Sequence, residues 1–160
     1  MSEQLLKMLD QIPVFGGLSP DSLSLILDNA QTHQCQRGEC FFREGDSAAS
    51  MFVLGYGDVV VLKRWQDNDY VLGHLQPGDC FGEMSLIDFQ PRSATIRAEV
   101  PSQAYEISVD SIHKIWSSDP EQYAMLQMNM AREVSRRLRV SDDSLFEKRV
   151  MAEEFPRDDS

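Results

Sequence analysis

The sequence has little positive charge, few cysteines and no long apolar run, and each shortage excludes a class of protein. Its 160 residues hold 15 Lys and Arg against 26 Asp and Glu, which gives a formal net charge of −11 at pH 7. Such an acidic chain repels nucleic-acid backbones and offers few cations to displace their counterions. No apolar stretch approaches the ~20 residues of a membrane span, and the N-terminal residues lack the pattern of a secretory signal. We expect a cytoplasmic protein that contacts neither nucleic acid nor a membrane.

The cysteines and histidines are too scattered for the common metal, redox and catalytic sites. Cys35, Cys40 and Cys80 form no CxxC pair, and their odd number argues against a disulfide framework. The histidines show no HxH, HD or HExxH spacing. His33, Cys35 and Cys40 could begin a zinc site, but a fourth ligand is missing. We therefore expect no bound metal, no catalytic residue and no enzymatic activity.

The chain changes character after its first thirty residues. Residues 1–30 are predicted to be helical, because apolar residues recur at helical spacing and Ser19 and Pro20 form a helix start. Residues 31–108 consist of short β-branched and aromatic runs. Turns of a glycine followed by an acid separate these runs, at Gly38-Glu39, Gly45-Asp46, Gly57-Asp58 and Gly78-Asp79. Several strands with such turns predict an antiparallel sandwich, roll or barrel.

The last third of the chain is predicted to be helical again. Residues 109–147 form two helices in this prediction, and residues 148–160 form a polar tail. The second helix covers residues 119–146, with apolar residues every three or four positions. Its first part is apolar nearly all round and needs burial on two sides. One side is the strand region of the same chain. The other is a second copy in a two-fold homodimer or, alternatively, the same chain in a monomer with the helix folded back.

Residues 81–95, which we call the cassette, do not fit a plain series of strands. Gly82 and Glu83 open a stretch too short for an ordinary helix, and Arg92 follows nine positions after Glu83. Free backbone N–H groups at a helix start favour an anion, and the planar fork of Arg92 matches two phosphate oxygens. Ser93 adds a hydroxyl or its N–H. A carboxylate beside a phosphate needs its own donor, and a ribose 2′-hydroxyl would suit Glu83.

The cassette resembles the phosphate-binding cassette of the cyclic-nucleotide-binding domain family. The match is specific at Gly82-Glu83, at Leu86 and at Pro91-Arg92-Ser93-Ala94-Thr95, and weaker similarity extends over nearly the whole chain. The resemblance implies a mainly β fold with flanking helices: an antiparallel β-roll (double-stranded β-helix or jelly roll) with N-terminal helices and a long C-terminal helix. It also implies that Gly82 and Glu83 meet the ribose, while Arg92 and Ser93 hold the cyclic phosphate. The ligand-binding residues predicted in the cassette are Gly82, Glu83, Met84, Ser85, Arg92, Ser93 and Ala94.

In this family the base of the nucleotide meets the helix that follows the roll. The corresponding helix resembles that of the catabolite-activator type, and this similarity places Ser141 and Asp142 near the base. Ser141 would take the exocyclic amine of adenine, whereas Asp142 departs from the family pattern and can accept from adenine or from guanine. Cyclic AMP (cAMP) is therefore favoured, and cyclic GMP (cGMP) stays open. A DNA-binding domain is not expected, since only fifteen residues follow residue 145.

Two functions from different classes remain open. In the first, the chain is a regulatory module of signal transduction, in which a cyclic nucleotide orders the cassette and repositions the C-terminal helix for an unidentified protein effector. In the second, it is an interaction or structural domain with a vestigial, ligand-free pocket. Thermal unfolding with and without cyclic nucleotide separates the two, because a ligand that binds only the folded state stabilises it.

Overall fold

The computed structural model describes residues 3–154, in which a strand-rich middle is flanked by helices. The N-terminal module consists of α1 (Glu3–Asp10), a 3-10 turn (Pro13–Phe15) and α2 (Pro20–Asp28). The strands are β1 (Gln31–Cys35), β2 (Cys40–Phe42), β3 (Ser50–Tyr56), β4 (Val59–Trp65), β5 (Asn68–Leu75), β6 (Cys80–Phe81), β7 (Thr95–Ala98) and β8 (Ser102–Ser108). The other helices are α3 (Met84–Asp88), between β6 and β7, and then α4 (Val109–Ser118) and α5 (Pro120–Glu154) after β8.

The strands form two antiparallel sheets of four strands each. One sheet has the strand order β1-β8-β3-β6 and the other has the order β2-β7-β4-β5. Side chains from both sheets share one apolar cluster between them. Strands from opposite ends of the strand region pair with each other, β1 with β8 and β2 with β7. The predicted fold, a β-roll with helices before it and a long helix after it, is confirmed.

Strand β3 is buried on both faces and connects the two hydrophobic clusters of the protein. Met51 and Val53 pack against the helices, whereas Phe52 and Leu54 point into the roll, as the two-residue period of a strand requires. Inside the roll, the Phe52 ring stacks on the ring of Phe81 with their centroids 5.2 Å apart. Because β3 is fixed on both sides, it is a rigid support for the groups at its start.

The first part of α5 is fixed to the N-terminal module by buried contacts. Leu126 and Met130 lie in the cluster that the helices share with β3. The side chain of Asn129 donates to the backbone carbonyls of Val14 and Gly16, at 3.1 and 2.8 Å. These bonds satisfy carbonyls that the end of the 3-10 turn leaves without helical partners, and they set the direction in which α5 leaves the roll.

Helix α5 is longer than the sequence predicts. It runs for 35 residues, Pro120–Glu154, instead of ending near residue 146, and every side chain over 138–149 is exposed. The continuation consists mostly of Glu, Lys, Arg, Met and Ala, which have high helix propensity and need no packing partner to favour a helix. The helix thus covers the first half of the predicted polar tail, and residues 155–160 lie outside the described residues. Over residues 3–154, no helix combines the length and apolar character needed to cross a membrane.

Candidate ligand-binding site

A cavity opens between the cassette, strands β4 and β5, and helix α5. It encloses about 530 Å³ of empty space, part of it open to solvent. Part of its lining is apolar and includes Val61, Leu75 and Ile96, and another part carries the charged groups of the cassette. The cavity can therefore hold a ligand with one flat apolar part and one charged part.

Seven of the nine predicted ligand residues line this single cavity: Gly82, Glu83, Met84, Ser85, Arg92, Ser93 and Ala94. The cavity is shared by the carboxylate of Glu83 and the guanidinium of Arg92, the groups predicted to bind the ribose and the phosphate. Ser141 and Asp142 do not reach it. Both are exposed on α5, about one helical turn or more beyond Arg137. Their contact with a base stays a prediction.

Arg92 is buried within the site, with 5% of its surface exposed. Its Nη1 donates to the carbonyl oxygens of Ser50, at 2.8 Å, and Gly82, at 3.0 Å, and its Nη2 donates to the Ser50 hydroxyl at 3.0 Å. The Phe42 ring lies beneath the guanidinium, 4.1 Å from Cζ to the ring centroid, a favourable cation–π distance. Three rigid elements, β2, β3 and the start of the cassette, thus fix the position of this charge.

One edge of the Arg92 guanidinium remains free. Nε has no hydrogen-bond partner among residues 3–154, and a second proton on Nη2 is also unused there. These two donors lie side by side, which is the geometry of bidentate phosphate binding. Burial lowers the pKa of Arg92, while the carboxylates of Glu106, Asp46 and Glu83 oppose that effect. An arginine stays charged under such conditions, so the edge with the unused donors is positively charged.

Gly82 is needed for Arg92 to occupy this position. Its backbone has φ = 76°, in the left-handed region that favours glycine. A Cβ at this position would lie 2.5 Å from Nη1 of Arg92 and 3.2 Å from Cε1 of Phe42. Both the conformation and the close approach of the guanidinium exclude a larger residue.

Glu83 already has a charged partner in this structure. Its side chain is 2% exposed and forms an ion pair with the guanidinium of Arg137 on α5. Arg137 also donates to the carbonyl of Cys80, at 2.7 Å, and to the carboxylate of Glu133, at 3.1 Å. Burial raises the pKa of Glu83, and the charge of Arg137 partly offsets that rise. The carboxylate predicted to hold a sugar therefore also connects the cassette to α5.

The sequence did not single out several residues that form the site. Arg137 is one of four arginines within eight positions of α5, and nothing in the pattern distinguishes the one that turns toward the cassette. Phe42 and Ser50 contact Arg92 from strands 50 and 42 positions earlier in the chain, and only the sheet register brings them there. Val61 belongs to a β-branched run typical of a strand, but nothing in the sequence marks Val61 or Leu75 as part of a pocket.

The site combines a fixed cation, a buried carboxylate and an apolar wall. A cation with a free fork suits an anionic oxygen pair, and a carboxylate suits a hydroxyl donor. Within residues 3–154, no cluster of three or more His, Cys, Asp or Glu side chains is arranged to hold a metal ion. An anionic sugar ester with a flat ring matches all three features of the site.

Comparison with known families gives one match that covers more than half of the chain. The model of the cyclic nucleotide-binding domain matches residues 32–119, which run from β1 to the start of α5. The matched region includes the whole cassette and both sheets.

Curated relatives include a kinase regulatory subunit and a transcriptional regulator. The chain is 35% identical over 92 residues to a cAMP-dependent protein kinase regulatory subunit of Mycosarcoma maydis, covering 58% of this chain and 18% of the relative. It is 24% identical over 140 residues to a CRP-like cAMP-activated global transcriptional regulator of Mycobacterium tuberculosis, covering 87% of this chain and 61% of the relative. The chain spans less than two thirds of the length of either relative.

Solved structures show the same fold. The catabolite activator protein of Thermus thermophilus has a TM-score of 0.72 at 28% identity, covering 83% of this chain and 61% of that one. A cyclic nucleotide-binding domain from Methylobacillus flagellatus has a TM-score of 0.79 at 24% identity, covering 91% of this chain and 83% of that one. With the family match and the geometry of the cassette, these likenesses lead to one conclusion: the chain belongs to the cyclic nucleotide-binding domain family.

Proposed function

We propose that this chain is a non-catalytic regulatory module that binds a cyclic nucleotide, cAMP in preference to cGMP, in the cavity between the cassette and α5. The observation that carries the proposal is the free edge of Arg92, whose Nε is buried with no partner among residues 3–154. A buried donor without an acceptor costs free energy. A cyclic phosphate supplies two acceptor oxygens in the geometry that this edge requires.

Recognition of the ribose would depend on Glu83 and its partner Arg137. In the complex, the ribose 2′-hydroxyl donates to the Glu83 carboxylate, to which Arg137 of α5 is already bound. A ligand that shares this carboxylate changes the contact between the cassette and α5. That contact gives the bound nucleotide a direct route to the helix, which then presents a different surface to a protein effector.

Contact with the base of the nucleotide would depend on α5, either of the same chain or of a second copy. Ser141 and Asp142 are exposed, so they meet the base only if α5 moves toward the cavity or if a partner copy supplies them. The exposed part of α5 carries large apolar side chains: Leu138, Val140, Leu145, Phe146 and Met151. Burial of these side chains in a two-fold interface favours a homodimer through the 119–146 helix.

The preference for cAMP and the cytoplasmic location have separate support. Two relatives carry cAMP in their names, a kinase regulatory subunit and a transcriptional regulator, and a structural neighbour is the regulatory domain of Toxoplasma gondii PKA with cAMP. A cGMP-dependent protein kinase of Homo sapiens is also similar, at 32% identity, and cGMP is therefore the alternative ligand.

The cytoplasmic location is supported by the cysteines. Cys35, Cys40 and Cys80 are free thiols, a state that suits a reducing compartment such as the cytoplasm.

One observation favours the alternative of a ligand-free domain. The charged groups of the site are largely satisfied without a ligand, since Glu83 pairs with Arg137, and Arg92 bonds to Ser50 and Gly82. A vestigial pocket would keep these internal contacts as structural bonds. In that case the domain would act as an interaction or structural module.

Thermal unfolding distinguishes the two functions. Protein freed of co-purified nucleotide is unfolded alone, with cAMP, with cGMP and with non-cyclic 5′-AMP as the control for general anion effects. A cyclic nucleotide at about 100 times its dissociation constant should stabilise the folded state by roughly 2.7 kcal/mol. The proposal predicts this stabilisation for cAMP first and a smaller effect for 5′-AMP. The absence of any shift with either cyclic nucleotide would favour the ligand-free domain.

A further inference from the structure

A row of hydrogen-bonded side chains continues behind Arg92, away from the cavity. The Ser50 hydroxyl, which accepts from Nη2 of Arg92, donates its own proton to Oε1 of Glu106 at 2.7 Å. The other carboxylate oxygen of Glu106 lies 2.5 Å from Nε2 of His33. Ser50 is buried, whereas Glu106 and His33 are partly exposed. The row therefore extends from the buried cation of the site to the edge of the sheet.

Sheet register fixes this row. Glu106 of β8 stands opposite Phe52 of β3, so Ser50, two positions before Phe52, is its diagonal neighbour on the same face. His33 of β1 stands opposite Ala104 of β8 and is likewise diagonal to Glu106. The three side chains occupy adjacent positions across β3, β8 and β1. The backbone ladder, not a flexible loop, determines the distances between them.

The single proton of the Ser50 hydroxyl, which is donated to Glu106, gives Glu106 a specific role. A serine hydroxyl has one proton, and an ionised carboxylate can only accept. Because that proton is committed to Glu106, the lone pairs of the Ser50 oxygen face Arg92 and accept from it. We propose that Glu106 is a positioning residue of the binding site: through Ser50, it holds the Arg92 guanidinium with its free edge available to an anionic phosphate. This inference rests on the proposed function, since it names what prepares the phosphate-binding group.

A purely electrostatic role of Glu106 predicts the opposite sign. Its negative charge reduces the positive potential around Arg92, and Glu106 is first among the carboxylates that oppose the burial-driven fall in the pKa of Arg92. If charge alone mattered, any neutral residue at position 106 would strengthen binding of an anion. If positioning matters, the outcome depends on whether the replacement can still accept from the Ser50 hydroxyl.

Calorimetric titration of nucleotide-free protein with cAMP distinguishes the two roles. Glu106→Leu removes the acceptor and should weaken binding about tenfold, as expected for a lost hydrogen bond in a charged network. Glu106→Gln keeps an acceptor oxygen and should stay within about twofold of the wild type. The control Glu99→Leu removes the same charge from a carboxylate that pairs with Arg97, and it should leave the affinity unchanged.

Two further variants test whether the effect passes through Ser50. Ser50→Ala should weaken binding about as much as Glu106→Leu, and the double variant should be no weaker than Ser50→Ala alone. Additive losses, unchanged affinity in Glu106→Leu, or tighter binding in both Glu106 variants would each overturn the inference. If Glu106→Leu does not fold, the smaller change Ser50→Ala carries the same expectation.

Nuclear magnetic resonance of the unliganded protein separates this inference from the proposed function. If the wild type binds no cyclic nucleotide, the proposed function fails, but the positioning of Arg92 can still be observed. In the wild type, the bonded Nη protons of Arg92 should give resolved, slowly exchanging signals. Glu106→Leu and Ser50→Ala should broaden or lose them, whereas Glu106→Gln should retain them. Unchanged Arg92 signals in Glu106→Leu would contradict the inference.

Discussion

The carboxylate of Glu83 and the guanidinium of Arg137, 54 positions apart in the chain, form an ion pair that joins the cassette to α5. Glu83 is almost completely buried, while Arg137 is about one third exposed. The pair therefore lies at the boundary between the ligand cavity and the helix. It is the one direct charged contact in residues 3–154 between a predicted ligand residue and α5.

Removing Arg137 should destabilise the protein by leaving a buried carboxylate without its partner. Arg137→Leu should lower the free energy of unfolding by about 3 kcal/mol, measured by chemical denaturation of the unliganded protein. The matched control is Arg136→Leu, because the Arg136 side chain is largely exposed and its partner Glu133 keeps Arg137 in that variant. Arg136→Leu should therefore cost less than about 1 kcal/mol. Adding Glu83→Gln to Arg137→Leu should recover part of the lost free energy of unfolding, because it removes the unpaired buried charge. Equal costs for the two arginine variants would refute the structural role of this pair.

Binding of cyclic nucleotide should become tighter as the pH rises through the acid range. Burial raises the pKa of Glu83 in the unliganded protein, and only the ionised carboxylate accepts the ribose hydroxyl in the proposed complex. Binding therefore lowers the pKa of Glu83 and releases a proton wherever this group is partly protonated. The association constant should increase with pH up to the unliganded pKa of Glu83 and not depend on Glu83 above it.

Titrations from about pH 5 to about pH 8 test this dependence, with Glu83→Gln as the control. The variant should bind weakly, and the part of the pH slope due to Glu83 should be absent. A wild-type affinity that falls with rising pH, or the same slope in both proteins, would contradict a direct role of this carboxylate.

Gly82→Ala should abolish binding because its methyl group would displace the guanidinium of Arg92. The added Cβ would lie 2.5 Å from Nη1 of Arg92, in a backbone conformation with φ = 76°. Gly78→Ala is the matched control, since Gly78 also has a positive φ, of 92°, but no atom lies within 4 Å of the added Cβ. Both variants should lose about 1 kcal/mol or more to backbone strain. Only Gly82→Ala should lose cAMP affinity, as measured by calorimetry, and retention of affinity there would show that the position of Arg92 is not needed.

The exposed part of α5 should mediate self-association. Sedimentation equilibrium at micromolar concentration should give twice the 18.2 kDa mass of the chain. Leu145→Glu, which places a charge among the exposed apolar residues of α5, should shift the mass to that of a single chain. Val100→Glu, a similar change at an exposed apolar residue between β7 and β8, should not. A wild type with the mass of one chain would exclude the homodimer.

The fold was largely predictable because its signals are local. Turns of glycine and an acid separate the strands. Ser19 caps α2 as the sequence predicts, by accepting from the backbone N–H of Ser22. Asp119 accepts in the same way from the backbone N–H of Glu121 at the start of α5. Helix α5 is longer than its sequence predicts, because its last residues have a polar composition typical of a tail but also a high helix propensity.

The internal connections of the site were not predictable, because they depend on contacts between distant parts of the chain. The cassette could be located from one contiguous segment, and its residues line one cavity. By contrast, the bonds of Arg92 to Ser50, and of Ser50 to Glu106, cross 42 and 56 positions. They exist only once the register of β3 and β8 is set. No local pattern distinguishes Arg137, which bonds to the cassette, from the other arginines of α5.

The binding of the cyclic phosphate by Arg92 is tested most directly by calorimetric titration of nucleotide-free wild type and Arg92→Met, side by side, with cAMP. Methionine has similar length and no donor, so it removes the free fork without placing a new charge beside the carbonyls of Ser50 and Gly82. The wild type should bind cAMP saturably, and a folded Arg92→Met variant should not bind it. Equal binding by both proteins, or no binding by the wild type, would contradict this role of Arg92.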